Sequence, residues 1–96
     1  MKGIKYDQGK PEMFLLPPFA TMEVGEVLTF GANKYSPDNW RKLDNLESRY
    51  MSAAMRHILA FNGGELNDNE TDLSHLAHAI CCLMFVLEDK KLTEKI

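Results

Sequence analysis

The segment Thr71 to Glu88, TDLSHLAHAICCLMFVLE, restricts what this chain can become more than any other stretch. It reads as one helix of about five turns, within the ordinary range for globular proteins. At roughly 100° per residue, Leu76, Ala79, Leu83 and Val86 fill one side and Leu73, Ile80, Met84 and Leu87 the next. Cys82 and Phe85 widen the apolar surface, leaving a narrow strip near Ser74, Cys81 and Glu88. A helix that is apolar nearly all round needs cover nearly all round. A chain of this size buries only about 60–65% of its unfolded surface. A homodimer, or a homotetramer of two dimers with sites shared between subunits, is therefore expected.

The balance of 14 acidic against 11 basic residues leaves no field strong enough to draw nucleic acid or an anionic membrane surface. No uninterrupted apolar run approaches the ~18 residues of a membrane span. The opening MKGIKYDQGKPE lacks the apolar stretch of a signal peptide. Cys81 and Cys82 are adjacent in the helix and point about 100° apart. That geometry suits neither a disulfide framework nor a CxxC metal motif, and both are read as packing residues in a reducing cytoplasm. The whole chain, 1–96, reads as one domain.

Taken in order, residues 1–16 form an arm broken by Gly3, Gly9 and Pro11. Lys2, Lys5 and Lys10 surround a turn at Tyr6-Asp7-Gln8-Gly9, and Met13-Phe14-Leu15-Leu16 is expected to anchor the arm to the body. The arm is either a mobile cationic tail or a phosphate-gripping device, Gly9 permitting close backbone approach. Pro17-Pro18 starts a helix that runs to about Lys34, with Phe19, Glu23, Glu26, Val27 and Phe30 on one face. Two glutamates in that stripe either pair with cations at its edge or hold a metal ion, because an uncompensated buried carboxylate is costly. The loop from Ser36 to Lys42 contains the only tryptophan, Trp40, between Asn39 and Arg41. It is core filler or a base-stacking platform with an amide for edge recognition.

A second helix is expected from Asp44, capped in a box with Glu47, to Gly63-Gly64. Leu46, Tyr50, Ala53, Ala54, His57, Ile58 and Phe61 form its buried stripe, His57 as a hydrogen-bonded core residue. Arg49 and Arg56 share a flank, facing a polyanion or water. An acidic connector, Glu65 to Glu70, leads to the last helix, for which Asn67 or Asn69 offers the cap. The charged tail from Asp89 is expected to fray. No segment reads as a strand, so the fold class is all-α.

Glu23-x-x-Glu26 and Asp72-x-x-His75 repeat one i, i+3 spacing on two helices. Face to face they would offer three carboxylates and an imidazole, a set suited to Mg²⁺ or Mn²⁺. Such an ion binds phosphate oxygens and acidifies a bound water. Lys5, Lys10, Arg41, Lys42, Arg49 and Arg56 are the cations available to a triphosphate, and the combination points to phosphoanhydride hydrolysis.

The chain resembles the short MazG-like nucleotide pyrophosphohydrolases, in the subgroup named dATP/dGTP diphosphohydrolases and its MazZ-like branch. The likeness lies in KYDQGKPE at 5–12, LLPP at 15–18 and EVGEVLTFGANKYSPDNWRK at 23–42. It continues with AAMRH at 53–57, GGE at 63–65 and DLSHLAHAICCLMFVLE at 72–88. The resemblance implies a small oligomeric helical bundle of MazG-like type. It also implies cleavage of a purine deoxynucleoside triphosphate (dGTP or dATP) between its α and β phosphates, with Mg²⁺ or Mn²⁺. In phages that replace adenine with 2-aminoadenine, that step feeds nucleotide metabolism. The family's ExxE falls on Glu23 and Glu26 and its ExxD on Asp72 and His75. The chain departs from the wider pattern in having Met22 before Glu23, and His75 for the final aspartate.

On this reading Glu23, Glu26, Asp72 and His75 are metal ligands and catalytic residues, and one of the carboxylates, or Glu65, takes the proton from the attacking water. Lys5, Asp7, Lys10, Arg41, Lys42 and Arg56 belong to the substrate site, with Asn39 and Trp40 at the base. His78, about 60° from His75, backs the ligands or packs. The alternatives are a non-catalytic helical interaction module and a pyrophosphohydrolase for another nucleotide.

Overall fold

A computed structural model describes residues 2–95. It is all-α. Helices α1 (Pro18–Lys34), α2 (Leu46–Asn62) and α3 (His75–Glu94) are joined by loops containing short 3₁₀ turns at Met13–Leu15 and Asn39–Lys42. Helices α2 and α3 form an antiparallel hairpin, since Lys90 of α3 pairs with Glu47 near the start of α2, and His75 meets His57 near its end. Helix α1 packs on α3 through Val24 and Val27, which share a buried cluster with Ala77 and Cys81. No helix is long and apolar enough to cross a membrane among the described residues.

Helix α1 begins and ends where its prolines and Gly31 place it. The other two starts differ from the sequence reading. Asn45, not Asp44, occupies the cap of α2, in a left-handed conformation and with no side-chain bond. The turn lets Leu46 drop into the interior at 7% exposure, and asparagine tolerates that backbone better than most residues. The start of α3 is delayed to His75. The Asp68 carboxylate gathers the Glu70 amide at 2.9 Å, the Thr71 amide at 3.0 Å and the Thr71 hydroxyl at 3.3 Å. Asp72 turns left-handed, and Asn67 pairs with Ser74 in an isolated bridge. The left-handed residue breaks off the turn that Asp68 caps, and the helix begins only after it. Ser74 becomes the cap, accepting from the Leu76 amide at 3.0 Å. Ser74→Ala should cost about 1 kcal/mol, measured as a lower midpoint in urea. At the other end α3 runs on to Glu94 rather than fraying at Asp89.

Burial also departs from the helical wheels. Only Val27 of the α1 stripe is buried, with Phe19 at 92% exposure. In α3 the small residues Ala77, Ala79, Cys81 and Cys82 face inward, whereas Leu76, Ile80, Leu83 and Leu87 face solvent. The two thiols are packing groups, pushed by burial to about 12 for Cys81 and about 11 for Cys82. Met13, Phe14, Leu15 and Leu16 do not anchor the arm in the single chain, for all four are exposed. The radius of gyration, 16.4 Å, exceeds the roughly 12.5 Å of a compact domain of this length.

Candidate functional site

Two features lie side by side between α1, the 35–40 loop and the start of α3. The first is an open cavity of about 410 Å³, within the size range of small-molecule sites. Val27, Phe30, Cys81, Cys82 and Phe85 give it apolar walls, and Asn39, Trp40, Thr71 and His78 also line it. Trp40 stacks on Phe85 with centroids 4.4 Å apart and an interplanar angle of 14°. Phe85 in turn meets the edge of Tyr50 at 5.0 Å. The 3₁₀ turn after left-handed Asp38 positions this pair. Asp38 also accepts from Arg41 Nε at 3.0 Å, which steers that guanidinium to 4.4 Å from the Trp40 ring. Trp40 is thus both packing and cavity wall. At the rim Lys34 bonds Glu70 at 2.8 Å, and that carboxylate raises the Lys34 ammonium above its ordinary value.

The second feature is the polar cluster where α3 begins. Glu23 Oε2 accepts from the Ser74 amide at 2.7 Å, so α1 delivers a carboxylate to the positive end of the α3 dipole. Asp72 lies just before that end, exposed, with Asn67 Nδ2 donating to its Oδ1 at 3.5 Å. Glu23 therefore reaches the backbone at the start of α3. No three of the expected ligands Glu23, Glu26, Asp72 and His75 come within 4.8 Å of one another among the described residues, because Asp72 sits in a left-handed turn before the helix and not on a face opposite α1. Glu26 follows Glu23 by one turn on the exposed side of α1, beside Met22 and Thr29.

His75 is 6% exposed and its Nδ1 lies 2.8 Å from His57 Nδ1, so one ring presents N–H and the other its lone pair. His57 is half-buried and stacks on His78 at 4.6 Å and 15°. The Thr71 hydroxyl sits 2.7 Å from His78 Nε2. Burial first, then the neighbouring imidazoles, lower His57 below its ordinary value. Burial also leads the lowering of His78. Burial pushes the Asp68 carboxyl up, but the Thr71 and Glu70 amides outweigh it and hold the group below the usual range.

The remaining substrate-site candidates are dispersed. Lys5, Asp7 and Lys10 ride on the exposed arm, where Lys10 N–H donates to the Asp7 carbonyl at 3.0 Å to close the expected turn. Lys42, at the end of the second 3₁₀ turn, and Arg56, on α2, are both exposed. Sequence reasoning passed over Asp68, Thr71, Lys34 and Phe85. The Asp68-x-Glu70-Thr71 spacing carried a turn signal, whereas Phe85 looked like any other core aromatic.

The family model described as dATP/dGTP diphosphohydrolase, N-terminal, matches residues 1–96. A dATP/dGTP diphosphohydrolase of Salmonella phage PMBT28 is 44% identical over 86 residues, which is 90% of this chain and 29% of that relative. The chain thus spans less than a third of the relative's length. No solved structure matches it. With the family's pattern running through the arm, the tryptophan loop and all three helices, the chain belongs to the dATP/dGTP diphosphohydrolase N-terminal family.

Proposed function

We propose that this domain hydrolyses purine deoxynucleoside triphosphates, dGTP first and dATP second, to the monophosphate and pyrophosphate. The observation that carries the reading is the aromatic-walled cavity opening beside a cluster of carboxylates and imidazoles. Flat apolar walls suit a purine, which gains most from stacking, and Asn39 brings both a donor and an acceptor to its edge. The relative's name, dATP/dGTP diphosphohydrolase, agrees with this choice of base. The finer setting is phage 2-aminoadenine metabolism in the host cytoplasm.

Hard oxygen donors fit Mg²⁺ or Mn²⁺. Glu23 keeps one oxygen beyond its bond to Ser74, and Glu26 and Asp72 are exposed carboxylates; with His75 these are the proposed ligands. When bound, the ion supplies neutralisation of phosphate charge and a more acidic water. The chain's own part is to seat the base between the 35–40 loop and α3 and to take the water's proton on a carboxylate of this set or on Glu65. Arg41, Lys42 and Arg56, with Lys5 and Lys10 of the arm, oppose the charge that develops as pyrophosphate leaves.

Incubation with each dNTP and Mn²⁺ tests the reading, with pyrophosphate release greatest for dGTP; no release from any of the four would end it. Trp40→Ala should raise KM more than it lowers kcat and cost about 2 kcal/mol of stability, because a half-buried indole is worth less than a fully buried one. Steady-state kinetics and thermal unfolding read the two effects. We also propose that the chain works as a homodimer or homotetramer. Met51, Met55 and Ile58 on α2, and Leu76, Ile80, Leu83 and Leu87 on α3, form exposed apolar stripes. Those stripes equally suit docking on another protein, the non-catalytic reading, which predicts that Mg²⁺ and Mn²⁺ leave the melting temperature unchanged.

A further inference from the structure

We propose that His57, Asp68 and His75 form a binding site for a divalent transition-metal ion, distinct from the carboxylate set of Glu23, Glu26 and Asp72. Each offers a ligand atom, and these atoms all lie within 4.8 Å of one another. Among the described residues no other group of three or more metal-capable side chains comes as close together. Two protein ligands on one tetrahedral ion sit roughly 3.3 Å apart when metal–nitrogen bonds are about 2.05 Å. An ion would therefore draw the donor atoms in from their spread of up to 4.8 Å and take the place of the 2.8 Å contact between His57 and His75.

The second observation is the state of His75. It is 94% buried, and among the described residues its Nε2 has no hydrogen-bond partner. Glu65 Oε1 stands 3.7 Å away, beyond hydrogen-bonding reach. A buried, unpartnered imidazole nitrogen is costly, and a cation at this point would relieve it, with Glu65 free to swing in as a fourth donor. The donors are also held in place from behind. The Glu70 and Thr71 amides fix the Asp68 carboxylate through Oδ1 and leave Oδ2 available. His78 stacks on His57 while its Nε2 engages Thr71. Such bracing of ligands is what tight metal sites require.

Two imidazoles and one carboxylate favour Mn²⁺, Co²⁺ or Zn²⁺ over Mg²⁺. Three protein donors leave coordination positions open. The site ties the end of α2 to the start of α3, and through Thr71 and His78 it adjoins the cavity. The two sets share one residue, His75, which an ion held here would draw away from the carboxylates Glu23, Glu26 and Asp72. The inference does not depend on the nucleotide reading.

Co²⁺ titration of the metal-free chain is the test. The expected result is one high-affinity ion per chain with visible absorption bands of nitrogen and oxygen ligation. A rise in melting temperature of about 5 °C or more should accompany it at saturating metal. His57→Gln and Asp68→Asn should weaken binding at least tenfold and remove the bands, whereas Glu26→Gln should keep them. If a histidine variant fails to fold, ¹⁵N-histidine spectra of the wild-type chain with Zn²⁺ decide the matter, because ligation must shift ring nitrogens of His57 and His75 together. No Co²⁺ bands, equal binding in His57→Gln, or unshifted His57 and His75 nitrogens would each overturn the proposal.

Discussion

Glu26→Gln should slow pyrophosphate release by at least about 10²-fold, the scale on which a positioned carboxylate acts in proton transfer or charge stabilisation. Helix content by circular dichroism should stay unchanged. Glu26 is exposed and makes no hydrogen bond or ion pair among the described residues. Replacing its charge with an amide of the same shape therefore removes chemistry without removing packing. Glu23 would be a poorer choice for the same experiment. Its Oε2 receives the Ser74 amide, so a change there disturbs the start of α3 and mixes stability with turnover. A fully active Glu26→Gln enzyme would take Glu26 out of the proposed machinery.

The second large effect is expected on assembly. Light scattering of the 11.0 kDa chain at micromolar concentration should give a dimer or tetramer, and the double variant Ile80→Glu, Leu83→Glu should give a monomer. Both side chains are 41% exposed in the single chain, and with Leu76 and Leu87 they occupy a strip about 60° wide on α3. Introducing charge into such a strip is tolerated in water but not when it is pressed against an apolar partner. The same change should lower the melting temperature only to the extent that assembly supports folding. A double variant that remains oligomeric would move the interface elsewhere, Met55 and Leu59 of α2 being the next exposed pair.

Which segments become helices was plain in the residues. Pro18 at the first position of α1 and Gly63 at the end of α2 sit where the signals predicted. Those signals work because they act within a few bonds, through a fixed φ or a helix that cannot be continued. The two misplaced helix starts fail for the same local reason in reverse: Asn45 and Asp72 take left-handed backbone, and at Asp72 that conformation breaks off the turn the Asp68 carboxylate caps.

Chemistry-bearing residue types, the nearly all-apolar character of α3 and the absence of a membrane-length run follow from the order of amino acids alone, because periodicity and charge are properties of the string. Tertiary packing alone chose which side of α3 to bury. It selected the small side, Ala77, Ala79, Cys81 and Cys82, since α1 and α2 approach closely only where side chains are short, and the leucines were left outside. It also brought His57 within 2.8 Å of His75 and Trp40 onto Phe85. Those pairs stand 18 and 45 positions apart in the chain, and no local preference reaches that far.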